Sequence, residues 1–546
     1  MDGQRSDSLT GNWDTRISRR VLLRTGGSAA AGLLLLGRAA YSASAAPPHA
    51  SNPFSLGIAS GDPTPQGFVL WTRLLPEGTP LDGSVMKQEP YGVRYEIAED
   101  EDFHTIVRRG TEEAVWEESH TVHAEIAGLQ PDRWYWYRFK WGPTVSPVGR
   151  TRTAPAAGAA VEKLNFAFAS CQNWAGGYYG ALGKLAEEDV DLVIHLGDYI
   201  YEGVDPQPPA VPERLASLQP AHETRSLADY RMRYACYKSD AQLQQAHLRF
   251  PWLATWDDHE VENNYAGLVM DPEVPLEDAK QRRAAAYLAY WEHQPLHRSR
   301  KPVNENMPIF RRMRWGDLAT FHVIDTRQYR ADQGGPPQCE AAERDPVSRY
   351  CPTQIDPGRR MLGDEQRTWL YDGLAKQEND TAWHVLANQV GFAPEDTRTG
   401  AQGRRFGFDS WDGYVMERQD LLNHVAAQER TNLVVITGDK HQNSVRDVPP
   451  SYRSLGGTPV ATEFIGTSIS SGGERPTPPF VPESFNPQIR WSDLHHGYVR
   501  IEATGDRWRA DFRVIDTVQR NDVTVWTESS WEVTPDKPGA VPVPAL

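Results

Sequence analysis

The chain has 546 residues, of which 39% are hydrophobic, with 18 Trp and a formal net charge of −16. This length and apolar content support a large buried core divided over two or more domains, because single cores stop growing well below this size. The negative balance argues against nucleic acid as a partner, since duplex binding relies on Lys and Arg neutralising phosphates.

Residues 1–46 read as an export signal. Arg19 and Arg20 in "SRRVLL" precede the apolar stretch "AAAGLLLLG", and the small residues of "YSASAAPP" suit cleavage near Ala46. A membrane anchor needs roughly 20 consecutive apolar residues, and this stretch is too short, is interrupted by Gly and is flanked by Arg38. The expectation is passage through the twin-arginine export machinery, no stable membrane anchor, and a location outside the cell or at the cell wall.

Residues 47–153 follow with short alternating runs such as "GFVLWTRL", "YGVRYEIAED" and "WYWYRFKWG", separated by Gly, Pro and Asp turns. That pattern predicts an immunoglobulin- or fibronectin-like β-sandwich. Residues 154–162 read as a linker. From 163 to 530, Val-, Ile- and Phe-rich runs alternate with amphipathic stretches such as "AAAYLAYWEHQ" and "GDEQRTWLYDGLAKQ", which predicts a second domain, α/β or α+β, with a buried sheet. Residues 531–546 read as a Pro-rich, non-helical tail. Cys339 and Cys351 bracket "QCEAAERDPVSRYC" and are a disulfide candidate in an oxidising compartment, contributing about 3 kcal/mol for a loop of this size. Cys236 reads as a buried helix residue.

The apolar runs of the second domain end alike. "KLNFAFASCQNW" ends in Cys171, "DLVIHLGDYIYE" in Asp198 and Tyr201, "PWLATWDDHEVENNY" in Asp258, His259 and Asn264, "AWHVLANQVGF" in Asn388, and "NLVVITGDKHQNS" in Asp439 and His441. One Asp after Gly is ordinary turn chemistry. Five strand ends with metal-ligand chemistry, at the sheet edge where α/β folds place their crevices, point to a metal site. The mixture of carboxylate, phenolate, imidazole, thiolate and amide is too varied for a structural zinc, and "DDHEVENN" lacks the second His of a zincin. A phenol with pKa near 10 is a poor ligand for Mg²⁺ but suits Fe³⁺. Cys171 can join Tyr201 on iron, while the Asp and Asn oxygens suit a harder cation such as Ca²⁺, Mn²⁺ or Mg²⁺.

"GD-x-x-Y" at 197–201, "WDDHE" with "NNY" at 256–265 and "GDKH" at 438–441 resemble the metal motifs of the calcineurin-like and purple acid phosphatase group. With "SCQ", "IDTRQYR", "ANQV" and "DSWDGY" they resemble its alkaline phosphatase D (PhoD) branch, from about Pro53 onward and including the leader. The resemblance implies an α+β metallophosphatase domain with a two-sheet β core flanked by helices, in which Asp198 bridges two metals. It also implies Tyr201, Cys171 and His441 on Fe³⁺, Asp258 and Asp439 on Ca²⁺, and Asn264 and Asn388 as further ligands.

The expected activity is hydrolysis of phosphate monoesters, diesters or both. Two metals about 3.5–4 Å apart acidify a bound water and clamp the phosphoryl oxygens, so that hydroxide attacks phosphorus. His259 is the candidate general acid. Arg327 is either a phosphate clamp or an internal ion pair. A phospholipase D-type phosphodiesterase on the same site is the alternative, and a non-catalytic secreted metal-binding protein is a weaker one.

Overall fold

The computed structural model describes residues 51–204, 211–270, 274–333, 344–376, 380–398, 405–472 and 485–545. The leader 1–46 and Cys339 lie outside them. Cys351 is disulfide-bonded.

Three sheets form. The largest has ten strands, with Lys163–Ala169, Leu192–Leu196 and Pro251–Thr255 parallel and adjacent at its centre. A second has seven strands and is built around parallel Ala319–Val323, Trp383–Asn388, Leu433–Thr437 and Ala461–Ile465. These runs are almost continuously apolar because both of their faces are covered. Leu164, Phe166, Phe168, Leu192, Ile194 and Leu196 of the first sheet meet Trp383, Val385, Ala387, Val434 and Ile436 of the second in one core. Each large side chain so buried contributes about 1.5–3 kcal/mol.

The opposite faces carry helices. Ala167 and Val193 pack under Leu227–Lys238, Ala241–Arg249 and Leu276–His293, while Leu386 and Val435 pack under Gly363–Leu374 and Val415–Ala427. The fold is thus mixed α+β, with two sheets back to back and helices outside. Cys236, in Leu227–Lys238, is buried among them.

Two boundaries differ from expectation. Residues 47–153 do not close on themselves as a separate sandwich. Tyr91–Ala98, Ile106–Ala114 and Trp134–Trp141 form most of a five-stranded sheet, but Ile58–Thr64, Gly67–Arg73 and Thr121–Ile126 extend the ten-stranded sheet. The join is the parallel pairing of Ser60 with Pro251 and of Gly61 with Trp252. All described residues lie in one compact unit, Ser44–Leu546. The Pro-rich end is not a tail either. Val525–Thr534 and Lys537–Val543 form the edge hairpin of the same sheet, where the N–H that a proline lacks is not needed. Among the described residues no helix is long and apolar enough to cross a membrane.

Candidate metal centre

Both sets of parallel strands point their carboxyl ends to the same edge of the molecule. An isolated bridge between Ser170 and Ser468 fastens the two sheets there, and Cys171 N–H donates to Gly197 O at 3.1 Å. Gly197 has φ +108°, and a Cβ on it would lie 2.4 Å from Asp257 N, so only glycine permits this approach. Cys171, Asp198, Asn264, Asp439 and His441 all have positive φ, between 50° and 62°. Non-glycine residues are held there at a cost of about 1–3 kcal/mol each, and such strain clusters at functional sites.

The geometry gathers two groups that share a residue. Ligand atoms of Cys171, Asp198 and His441 lie within 4.8 Å of one another, as do those of Asp198, Asp258 and His259. Tyr201 joins the first: its hydroxyl donates to Asp198 Oδ2 at 3.0 Å and lies 3.1 Å from His441 Nε2. Its ring packs 4.1 Å from that of His259. The Asn264 carboxamide faces Asp258 Oδ2 and Asp409 Oδ2, each 3.3 Å away. Its nitrogen there donates to both, whereas its oxygen would extend the oxygen shell of a cation. Asp439 stands outside the tight groups but couples electrostatically with Asp257, Asp409 and Asp258.

The electrostatics call for positive charge. Burial, then the neighbouring carboxylates, pushes Asp198 and Asp439 well above the usual carboxylate range. Burial and the Asp198 charge likewise raise Cys171 and Tyr201. Asp198 Oδ1 and Asp258 Oδ1 are buried with no hydrogen-bond partner. Buried acceptors of this kind are rarely left unmatched, and bound cations would match them. The donor set therefore fits metal ions.

Two expected site residues are placed elsewhere. Asn388 is committed to the fold, with Trp411 Nε1 donating to its Oδ1 at 2.9 Å and its Nδ2 donating to Val390 O at 2.6 Å. Arg327 is fully buried and is not placed as a phosphate clamp. Its Nε donates to Asp257 Oδ1 at 2.5 Å, its two terminal nitrogens reach Asp409 at 2.7 and 3.0 Å, and Asp258 Oδ1 lies 3.5 Å away. It is the internal ion pair, and it braces Asp257, Asp258 and Asp409 together.

Three further acids complete the centre: Glu202, which also ends the run "DLVIHLGDYIYE", and Asp409 and Glu260, which spacing alone did not single out. Glu202 Oε2 pairs with His259 Nδ1 at 2.7 Å. Asp409 receives both Arg327 and Arg330. Glu260 binds backbone N–H groups beneath the ligand loops. Each sits in or beside a quoted motif, but motif spacing does not tell which side chains face the crevice.

Comparison with known proteins shows the family. Residues 166–512 match the PhoD-like phosphatase family and residues 40–155 match the PhoD-like phosphatase N-terminal domain. Alkaline phosphatase D of Bacillus subtilis (strain 168) is 42% identical over 505 residues, covering 92% of this chain and 84% of that protein. A solved structure of PhoD, at 41% identity, covers 92% of this chain and 94% of its own with a TM-score of 0.85. The chain belongs to the PhoD-like phosphatase family.

Proposed function

We propose that this protein hydrolyses phosphate esters at a centre where two sets of metal ligands share Asp198. That sharing carries the reading, because Asp198 lies within reach both of Cys171 and His441 and of Asp258, with His259 beside that second set as the acid and not as a ligand. Cys171, His441 and the Tyr201 phenol suit Fe³⁺. The oxygens of Asp258 and Asn264, with Asp439 alongside, suit Ca²⁺, and Mn²⁺ or Mg²⁺ are the alternatives. When bound, such a cation pair supplies charge to the phosphoryl oxygens and acidifies a water for in-line attack.

The remaining roles belong to the protein. His259 is 20% exposed, and its Nδ1 is held by Glu202, which fixes the ring and leaves Nε2 to give a proton to the departing alkoxide. Arg327 keeps Asp257, Asp258 and Asp409 in place. The same residues serve a monoester or a diester, including a phospholipase D-type substrate. The leader 1–46, with Arg19 and Arg20, directs the chain through the twin-arginine route to the cell exterior.

The test is hydrolysis of an activated phosphate monoester and an activated diester by the exported protein, with and without a strong chelator. Turnover should appear with at least one ester, vanish on chelation and return with added metals. Full activity in metal-free protein would sink the reading.

A further inference from the structure

The loops that carry Asp198 and Asp258 leave different strands, and one buried side chain joins them. Glu260 is fully buried. Its Oε2 accepts from Asp257 N–H at 2.8 Å and from Asp198 N–H at 3.1 Å, and its Oε1 accepts from Tyr199 N–H at 2.5 Å.

Part of this is a local cap. Val261 and Glu262 N–H both donate to Asp258 O, so a turn begins at Asp258, and Glu260 within it reaches back to the Asp257 N–H just before it, as the acid of a capping box does. A cap accounts for one bond. The other two come from a loop about 60 residues earlier in the chain. There Asp198 has φ +57° next to Gly197 at φ +108°, a conformation that persists only where surrounding bonds fix it. A buried carboxylate held by amides alone, amid Asp198, Asp257 and Asp258, is also a costly way to stabilise a fold. Its cost is offset where the loops it joins hold cations.

We propose that Glu260 is a positioning residue for the metal centre: its carboxylate sets the separation of Asp198 from the Asp258–His259 turn and thereby the affinity for the cations. This rests on the functional reading only in taking those residues as ligands. Glu260→Gln keeps the size but offers a single acceptor oxygen and turns an NH₂ toward amide donors, so at least one loop is released.

In a chelator competition on the intact protein, Glu260→Gln should give up metal at least tenfold more readily, the scale expected for groups that orient ligands. Its kcat should fall with KM for an activated phosphate ester nearly unchanged. Glu260→Asp, with two oxygens on a shorter arm, should recover part of the loss and carries the test if the Gln variant does not fold. Glu292→Gln is the comparison, because Glu292 is a buried acid paired with Arg231. It should lower the melting temperature without altering metal release. The proposal is overturned if both Glu260 variants release metal as the wild type does and only melt earlier. A wild type that holds metal yet cleaves no ester would refute the functional reading while leaving metal release as an independent measure of Glu260.

Discussion

Replacing Arg327 with methionine keeps most of the side-chain length and removes the guanidinium. The change deletes the 2.5 Å bond to Asp257, the two-pronged contact with Asp409 and the 3.5 Å approach to Asp258. Asp257 and Asp258 are 1% and 3% exposed and are left facing each other, whereas Asp409 is 25% exposed and keeps Arg330. Breaking a buried ion pair from one side costs about 3–5 kcal/mol. The lower end applies here, because one of the three acids retains a partner. Denaturant unfolding of the metal-free protein at neutral pH should show this loss. Added metal should recover part of it, since a ligand that binds only the folded state stabilises that state. Turnover should fall together with metal content. The reasoning is refuted if the variant unfolds like the wild type and keeps its metal while KM for the ester rises tenfold, because the guanidinium would then be reaching substrate.

Tyr201→Phe removes one oxygen and keeps the ring on His259; the wild type should be visibly coloured by a ferric tyrosinate, and the variant should lose colour, iron and turnover while keeping its fold. A colourless, iron-free and fully active wild type would contradict this. The metal-free protein should become more stable as pH is lowered from about 8 to about 7; below that, buried histidines such as His195 and His247, which burial holds below the usual imidazole value, pull the other way. Burial pushes Glu260 up to about 8 and Asp257 up to about 6, so their ionisation in the folded state costs stability that returns on protonation. His259 acts in the same direction: burial lowers it, but Glu202, Asp258 and Asp198 together raise it well above the usual imidazole value. Its contribution is complete below about 6.5, the unfolded value, and is lost as pH rises through the folded one. Thermal melts of chelated protein at neutral and mildly alkaline pH check the trend, which added metal should abolish. Changing Arg19 and Arg20 to Lys should leave unprocessed protein inside the cell, and normal export of that variant would remove the twin-arginine reading.

The strand ends were the most legible part of the chain. Each apolar run stops abruptly at Cys171, Asp198, Asp258 or Asp439, and a buried parallel strand requires such a stop. Less legible was which way each polar residue turns. In "DDHE", Asp258 and His259 face the ligand groups while Asp257 and Glu260 face Arg327 and the backbone, and alternation cannot be read once the strand has ended. Asn388 misled because a carboxamide after a strand serves an indole N–H as well as it would serve a metal. The N-terminal sheet misled for a different reason. Its alternating pattern is the same whether a strand borders its own sandwich or pairs with Pro251–Thr255, and only long-range contact decides between the two.

That long-range pairing bears on how the protein comes into being. Synthesis runs at roughly 5–20 residues per second, so on the order of half a minute passes between Phe168 and its strand partner Val499. Ile58–Thr64 also waits for Pro251–Thr255, and until it docks, that run of five buried residues presents a raw edge able to capture another nascent chain. A shortened version starting at the linker would keep the edge permanently open and should precipitate. The large sheet is finished only after the last strands leave the ribosome, and any transport route that took the chain earlier would receive it with its middle unclosed.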